Sequence, residues 1–213
     1  MVIMGMDPSF KALSTSIFNV DSGKIYINTL STSLGDCIGF EKIFEATREL
    51  RDKQKDYIDS LILDGSISGI HEIFSEIPPP TAAFSSGLFA LDTLILSGLY
   101  DTYSTIDKIY SIPPSYVSVI HNTNRYNKSQ STQLAKYFIE EVLKDDIEIV
   151  IPDSISDSGR RSKGKMNNDK AESFLFLLRA IVKYDINGWA KKISQEMGGF
   201  LHESEKLLIS RKE

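Results

Sequence analysis

The chain has 213 residues, 41% hydrophobic and 25% charged, with 24 Lys and Arg against 29 Asp and Glu for a formal net charge of −5. That balance fits one large globular domain and excludes collagen-like, disulfide-stapled and disordered chains, and the single cysteine, Cys37, points to a reducing, cytoplasmic setting. No apolar run reaches the roughly 20 residues that span a bilayer, and the opening MVIMGMDPSF has no basic segment and carries Asp7, so neither a signal peptide nor a membrane partner is expected.

Read in chain order, Val2–Met6 is a short apolar strand. Ser14–Val20 is rich in strand formers, Asp21-Ser22-Gly23 is a turn, and Lys24–Leu30 alternates with Ile25 and Ile27 on one face, which together predict a hairpin. Phe40–Leu63 carries Ile43, Phe44, Leu50, Tyr57, Ile58 and Leu61 at helical spacing among charged residues. Ile67–Glu76 is the next predicted strand, closed by Pro78-Pro79-Pro80. Thr81 is a predicted N-cap for a helix over Ala82–Tyr100, apolar nearly all round and therefore buried. Ser115–Ile120 reads as a strand, and Ser129 or Ser131 caps a helix through Leu143. Pro152–Asn168 is polar and loop-like, a helix runs from about Asp169 to Tyr184, and Asn187–Glu213 reads as a helical satellite.

Most of the acids sit on helix surfaces. Four sit elsewhere: Asp7 and Glu76 each end a predicted strand, and Asp169 and Glu172 open the late helix with a spacing that puts both on one face. Strand ends at the rim of an α/β sheet are where ligand sites form. Clustered carboxylates need a cation among them, and oxygen-only ligands select Mg²⁺ or Mn²⁺ over zinc. Two such ions roughly 3.5–4 Å apart are standard apparatus for in-line phosphodiester hydrolysis. Each acid also has a bland reading: a turn Asp, a solvated strand end, first-turn acids favoured by the helix dipole. The ordered set carries the argument.

These residues bring the chain close to a known family. Met4–Asn19 (MGMDPSFKALSTSIFN), Ser75–Gly98, Ser115–Phe138 and Asn167–Ile181 together resemble, in order, the RuvC-type Holliday junction resolvases of the RNase H-like, retroviral-integrase nuclease superfamily. The resemblance implies an α/β, RNase H-like fold: a central mixed five-stranded sheet, its first three strands antiparallel, flanked by helices. The nuclease domain would cover residues 1–184, and 185–213 would be a C-terminal helical extension of it. It also implies that Asp7, Glu76, Asp169 and Glu172 are catalytic and metal-binding, with two Mg²⁺ per site and Mn²⁺ able to substitute. Asp7 would bridge the ions, Glu76 would hold one, and Asp169 with Glu172 the other or both. Lys128 matches the family's basic residue near the start of a large helix, a DNA contact. Two departures stand out. Glu172 is Asp in many relatives, and the family's exposed aromatic after the second acid is replaced by Ile77 and prolines, with Phe84 a weak substitute.

Charge distribution agrees with a nucleic-acid partner. Lys108 through Ile139 contains no acid. Arg125 and Lys128 lie at a loop-to-helix junction there, and Arg160, Arg161, Lys163 and Lys165 form a basic patch just before the helix of Asp169. His71, His121 and Cys37 are expected to be structural or inert, and Trp189 and Phe200 an apolar cap or dimer contact. No phosphate-binding glycine motif is present, so no nucleotide cofactor is expected. The expected function is a homodimeric, metal-dependent endonuclease on four-way and related branched DNA. The rivals are an RNase H-like nuclease on another nucleic acid, an actin-like phosphotransferase, and a catalytically dead DNA-binding scaffold.

Overall fold

The computed structural model describes residues 1–33, 40–76, 85–112, 128–152, 154–155, 161–162, 164–197 and 206–211. The chain opens as an antiparallel meander of β1 (Val2–Pro8), β2 (Ala12–Asn19) and β3 (Lys24–Ser31), in register from Val2 opposite Asn19 and from Ala12 opposite Ser31. The β2–β3 turn ends on Gly23, whose φ of 69° suits glycine. Period-two alternation then sends Val2, Met4, Met6, Leu13 and Ile17 to one core and Ile3, Phe18, Ile25 and Ile27 to another across the sheet.

β4 (Glu72–Glu76) lies parallel to β1, and β5 (Lys108–Ile112) lies parallel to β4. β6 (Glu148–Val150) adds in parallel beside β3. The sheet has seven strands in the order β6-β3-β2-β1-β4-β5-β9, where β9 (Lys206–Ser210) pairs antiparallel with β5. The five-stranded sheet expected from the sequence therefore gains strands at both edges. A separate hairpin, β7 (Ser154–Ile155) with β8 (Arg161–Ser162), lies within the stretch expected to be loop throughout.

Helix α1 (Phe40–Leu63) has its expected bounds, and with α2 (Ser85–Thr102) it covers one face, burying Leu50, Ile58, Leu91, Ile95 and Leu99. On the other face lie α3 (Lys128–Tyr137), which runs on as a π-helical turn over Phe138–Val142, then α4 (Asn168–Lys183) and α5 (Trp189–Met197). Three expectations are corrected. β4 starts at Glu72 rather than Ile67, because Gly69 sits at φ 142° and breaks the strand, while Ile67 and Ile70 still plug the core. His71 therefore precedes the strand, and its Nδ1 accepts the Val2 N–H at 3.1 Å, a structural role. The tail is not helical throughout: after α5 it returns as the edge strand β9. Trp189 is the apolar cap, buried and stacked on Phe18 with ring centres 5.9 Å apart.

The strand expected over 115–120, together with Cys37, Thr81, Phe84, His121 and Phe200, lies outside the described residues. Among the described residues no helix is long and apolar enough to cross a membrane.

Candidate active site

Asp7 is the penultimate residue of β1, opposite Ser14 of β2, and Glu76 is the last residue of β4. β1 and β4 run parallel and pair as far as Met6 and Ser75, so the next residue on each strand is one of these acids. Alternation places Asp7 on the face of Ile3 and Gly5, and Glu76 on the face of Phe74. That is the face under α4.

Two local features bring α4 to them. Asn167 has extended backbone (φ −121°, ψ 179°) and its side chain accepts the Lys170 N–H at 2.9 Å, an N-cap that starts the helix at Asn168. Asp169 therefore falls in its first turn, where an acid opposes the positive helix end, and Glu172 follows three residues on, along the same face. Gly5 then lets the helix lie directly on β1. A Cβ there would overlap the Ser173 carbonyl oxygen and stand 2.7 Å from the Leu177 nitrogen. Small residues on β2 continue the seat, since Ser16 Oγ and Ser173 Oγ are hydrogen-bonded at 2.9 Å.

The result is a crowded carboxylate cluster. Burial first, then the charges of Glu172, Glu76 and Asp169, hold the Asp7 carboxyl well above the usual carboxylate range. Burial also raises Glu172, the charge of Glu76 adds to it, and the Asp7 and Glu172 carboxyls hydrogen-bond to one another. Without a cation, one of the pair must keep a proton. Glu172 is almost fully buried and its Oε1 has no hydrogen-bond partner among the described residues. An orphaned carboxylate oxygen among other carboxylates, with no nitrogen or sulfur donor in the set, fits a hard divalent cation. Among the described residues no three Asp, Glu, His or Cys side chains stand as a ligand set in this arrangement.

The basic residues singled out from the sequence are only partly placed. Lys128 is the first residue of α3, Arg161 opens β8, and exposed Lys165 lies between the hairpin and α4. Lys165 is tied to the helix of Asp169 and Glu172, because its carbonyl accepts the Lys170 Nζ at 3.2 Å. Arg125, Arg160 and Lys163 lie outside the described residues. One residue escaped the sequence reading altogether. Asp92, midway along apolar α2, is fully buried and accepts a hydrogen bond from Ser75 Oγ at 3.0 Å, while its Oδ2 has no partner among the described residues. Burial pushes its carboxyl up to about 8, with the charge of Glu76 adding to the shift and the Ser75 hydrogen bond opposing it.

A mixed sheet whose first three strands are antiparallel, with acids at adjacent strand ends and a late helix seated over them, is the RNase H-like arrangement. Sequence comparison adds nothing to this, since no family model and no curated protein matches the chain. Comparison of structures does. RuvC from Thermus thermophilus superposes with a TM-score of 0.50 at 12% identity, over 98% of this chain and 100% of that one. T. thermophilus RuvC in complex with a Holliday junction substrate gives 0.48 at 12% identity, over 98% and 99%. The yeast mitochondrial Holliday junction resolvase gives 0.42 at 16% identity, over 91% and 79%. The resemblance noticed in the motifs thus holds for the fold of nearly the whole chain.

Proposed function

We propose that this protein is a metal-dependent endonuclease that resolves four-way and related branched DNA junctions as a homodimer, by paired, symmetric phosphodiester cuts. The reading is supported by Asp7 and Glu76 at the ends of adjacent parallel strands and by the helix of Asp169 and Glu172 seated over β1, near enough that the charges of Glu172, Glu76 and Asp169 all raise the Asp7 carboxyl, on a sheet that superposes on that of RuvC. These four carboxylates would hold Mg²⁺, or Mn²⁺ in its place. When bound, the cation would supply positive charge for the phosphate oxygens and lower the pKa of a coordinated water.

The chain's own residues do the rest. β1 and β4 hold Asp7 and Glu76 on neighbouring strands, and the Asn167 cap together with Gly5 sets the height of Asp169 and Glu172 above them. Lys128, Arg161 and Lys165, on the segments leading into α3 and α4, would neutralise backbone phosphates and bring the scissile bond to the acids. For the homodimer, exposed Phe44 of α1 and Leu94 of α2 would serve as apolar contacts; they line one cleft between the two helices, with Arg48 and Arg51 beside them.

The test is incubation with a labelled immobile four-way junction, linear DNA duplex and RNA duplex, in Mg²⁺ and in EDTA, beside Asp7→Asn. Symmetric, Mg²⁺-dependent nicking of the junction alone, lost in Asp7→Asn while binding persists, is the expected result. Cutting of RNA or plain duplex instead would move the protein to another RNase H-like substrate. Junction binding with no cutting in Mg²⁺ or Mn²⁺ would end the enzyme reading. Junction affinity should also fall steeply with salt, with a smaller slope in Lys165→Ala, because each lost phosphate contact releases one fewer counterion.

A further inference from the structure

Helix α2 is apolar along the face it turns to the sheet, where Leu91, Ile95, Leu96 and Leu99 are buried. On that same face stands Asp92, at 0% exposure. A leucine there would add to the core, whereas a carboxyl with one oxygen unpartnered works against burial. Packing therefore gives no reason for an acid at this position. Its one hydrogen bond does give a reason, since it receives the Ser75 hydroxyl at 3.0 Å. Ser75 is the rung immediately before Glu76. It pairs with Met6 of β1 on one side and Ser111 of β5 on the other, and Met6 is in turn the residue before Asp7. The contact thus fastens, from the opposite face of the sheet, the rung from which two of the four acids depart.

We propose that Asp92 and Ser75 form a positioning pair behind the carboxylate cluster, through which α2 fixes where β4 delivers Glu76 and so presets the site for its cation. The proposal rests on the reading of the four acids as a metal site. Asp92 touches neither cation nor substrate. It acts through Ser75, as outer hydrogen bonds orient the ligands of metal sites generally.

The experiment measures Mn²⁺ binding to the intact protein by titration calorimetry, without DNA, alongside thermal melting. The variants are Asp92→Leu, Asp92→Asn, Ser75→Ala, the Ser75→Ala/Asp92→Leu double, and Asp7→Asn as reference. Asp92→Leu and Ser75→Ala should each weaken Mn²⁺ binding about tenfold or more, and the double no further than either single. Asp92→Asn keeps the acceptor oxygen and should bind within about threefold of wild type on the same reasoning. Asp92→Leu should melt no lower than wild type, which separates positioning from a structural role. Wild-type affinity in both Asp92→Leu and Ser75→Ala, or a fall in melting temperature with unchanged affinity, overturns the pair. Should Asp92→Leu fail to fold, the Ser75→Ala affinity decides alone. If wild type binds Mn²⁺ no better than Asp7→Asn, the metal-site reading itself falls and the pair with it.

Discussion

At the level of single residues, the protein sets buried charge against stability on both sides of β4. Asp92 shows the cost most directly. Burial holds its carboxyl up to about 8, far above the 3.8 ordinary for an aspartate, so the folded state keeps a proton that the unfolded state releases. Stability from this group is therefore fully present below about pH 4 and declines as pH rises toward 8. Asp92→Asn removes the titration. Its advantage over wild type should grow steadily from near zero at pH 4 up to pH 8, read as a widening gap in melting temperature. A gap that stays constant across that range in paired melts would mean the carboxyl is compensated by a partner. Gly5 makes the complementary point in steric terms. Gly5→Ala places a methyl against the Ser173 carbonyl and the Leu177 nitrogen, both backbone atoms, so α4 must lift as a unit. The expected loss is ~1–3 kcal/mol of stability. Junction cleavage should fall further than the unfolded fraction explains, since Asp169 and Glu172 ride on the displaced helix. Cleavage per folded molecule equal to wild type would show that α4 does not need this seat.

At the level of elements, side chains tie one segment to the next at several points, and Glu49 of α1 is one that pH can test. Its carboxylate accepts Thr32 Oγ1 at 2.8 Å, the Ser33 N–H at 3.0 Å and the Lys53 ammonium at 2.6 Å, fixing the exit of β3 to the helix. Lys53 above all, then Thr32 and Ser33, pull it down to about 2. Because the folded value is depressed, its contribution holds above about pH 4.5 and is lost as pH falls toward 2. Solvent screening limits it to ~1 kcal/mol. Urea melts of wild type and Glu49→Gln should differ by that amount at pH 6 and converge near pH 2; equal curves at pH 6 would show that the tie is worth nothing. Elements held by strong local patterns were legible in the sequence. The meander, α1 and α4 all declare themselves by period, turn glycine or cap. β5, at Lys108–Ile112, and three-residue β6 did not, because such short runs show too little period to separate strand from loop. β9 hid in a tail whose only visible signal was helical. Its place is set by distant contacts: pairing with β5, and Arg211, which donates to the Tyr100 and Tyr103 carbonyls at the end of α2 and stacks on the Tyr100 ring. The strand-end acids were legible because polar residues closing apolar strands stand out. Asp92 was not, since one acid inside an apolar helix reads as a solvated position until burial is known.

At the level of the whole molecule, the fold gathers four carboxylates at one rim, so a cation held among them should stabilise the native state. Asp7 and Glu172 meet their shared desolvation by holding a proton, and Glu76 and Asp169 add repulsion to Asp7. A divalent ion relieves both at once and binds only the folded arrangement, because the four acids are brought together by β1, β4 and α4 and are scattered along the unfolded chain. Linkage then requires that metal raise stability. At 100 times its dissociation constant the gain is about 2.7 kcal/mol, or roughly 5–11 °C for a chain of this size. Asp7→Asn should behave in the opposite sense: more stable than wild type in EDTA, since a neutral amide ends the carboxylate repulsion, and nearly indifferent to Mg²⁺ or Mn²⁺. Differential scanning fluorimetry of both proteins in EDTA and across a metal series reads the two effects together. Equal metal-induced shifts in wild type and Asp7→Asn would place the cation elsewhere. A wild type insensitive to metal would mean that the Asp7–Glu172 proton, not a cation, is what the rim of this sheet is built to hold.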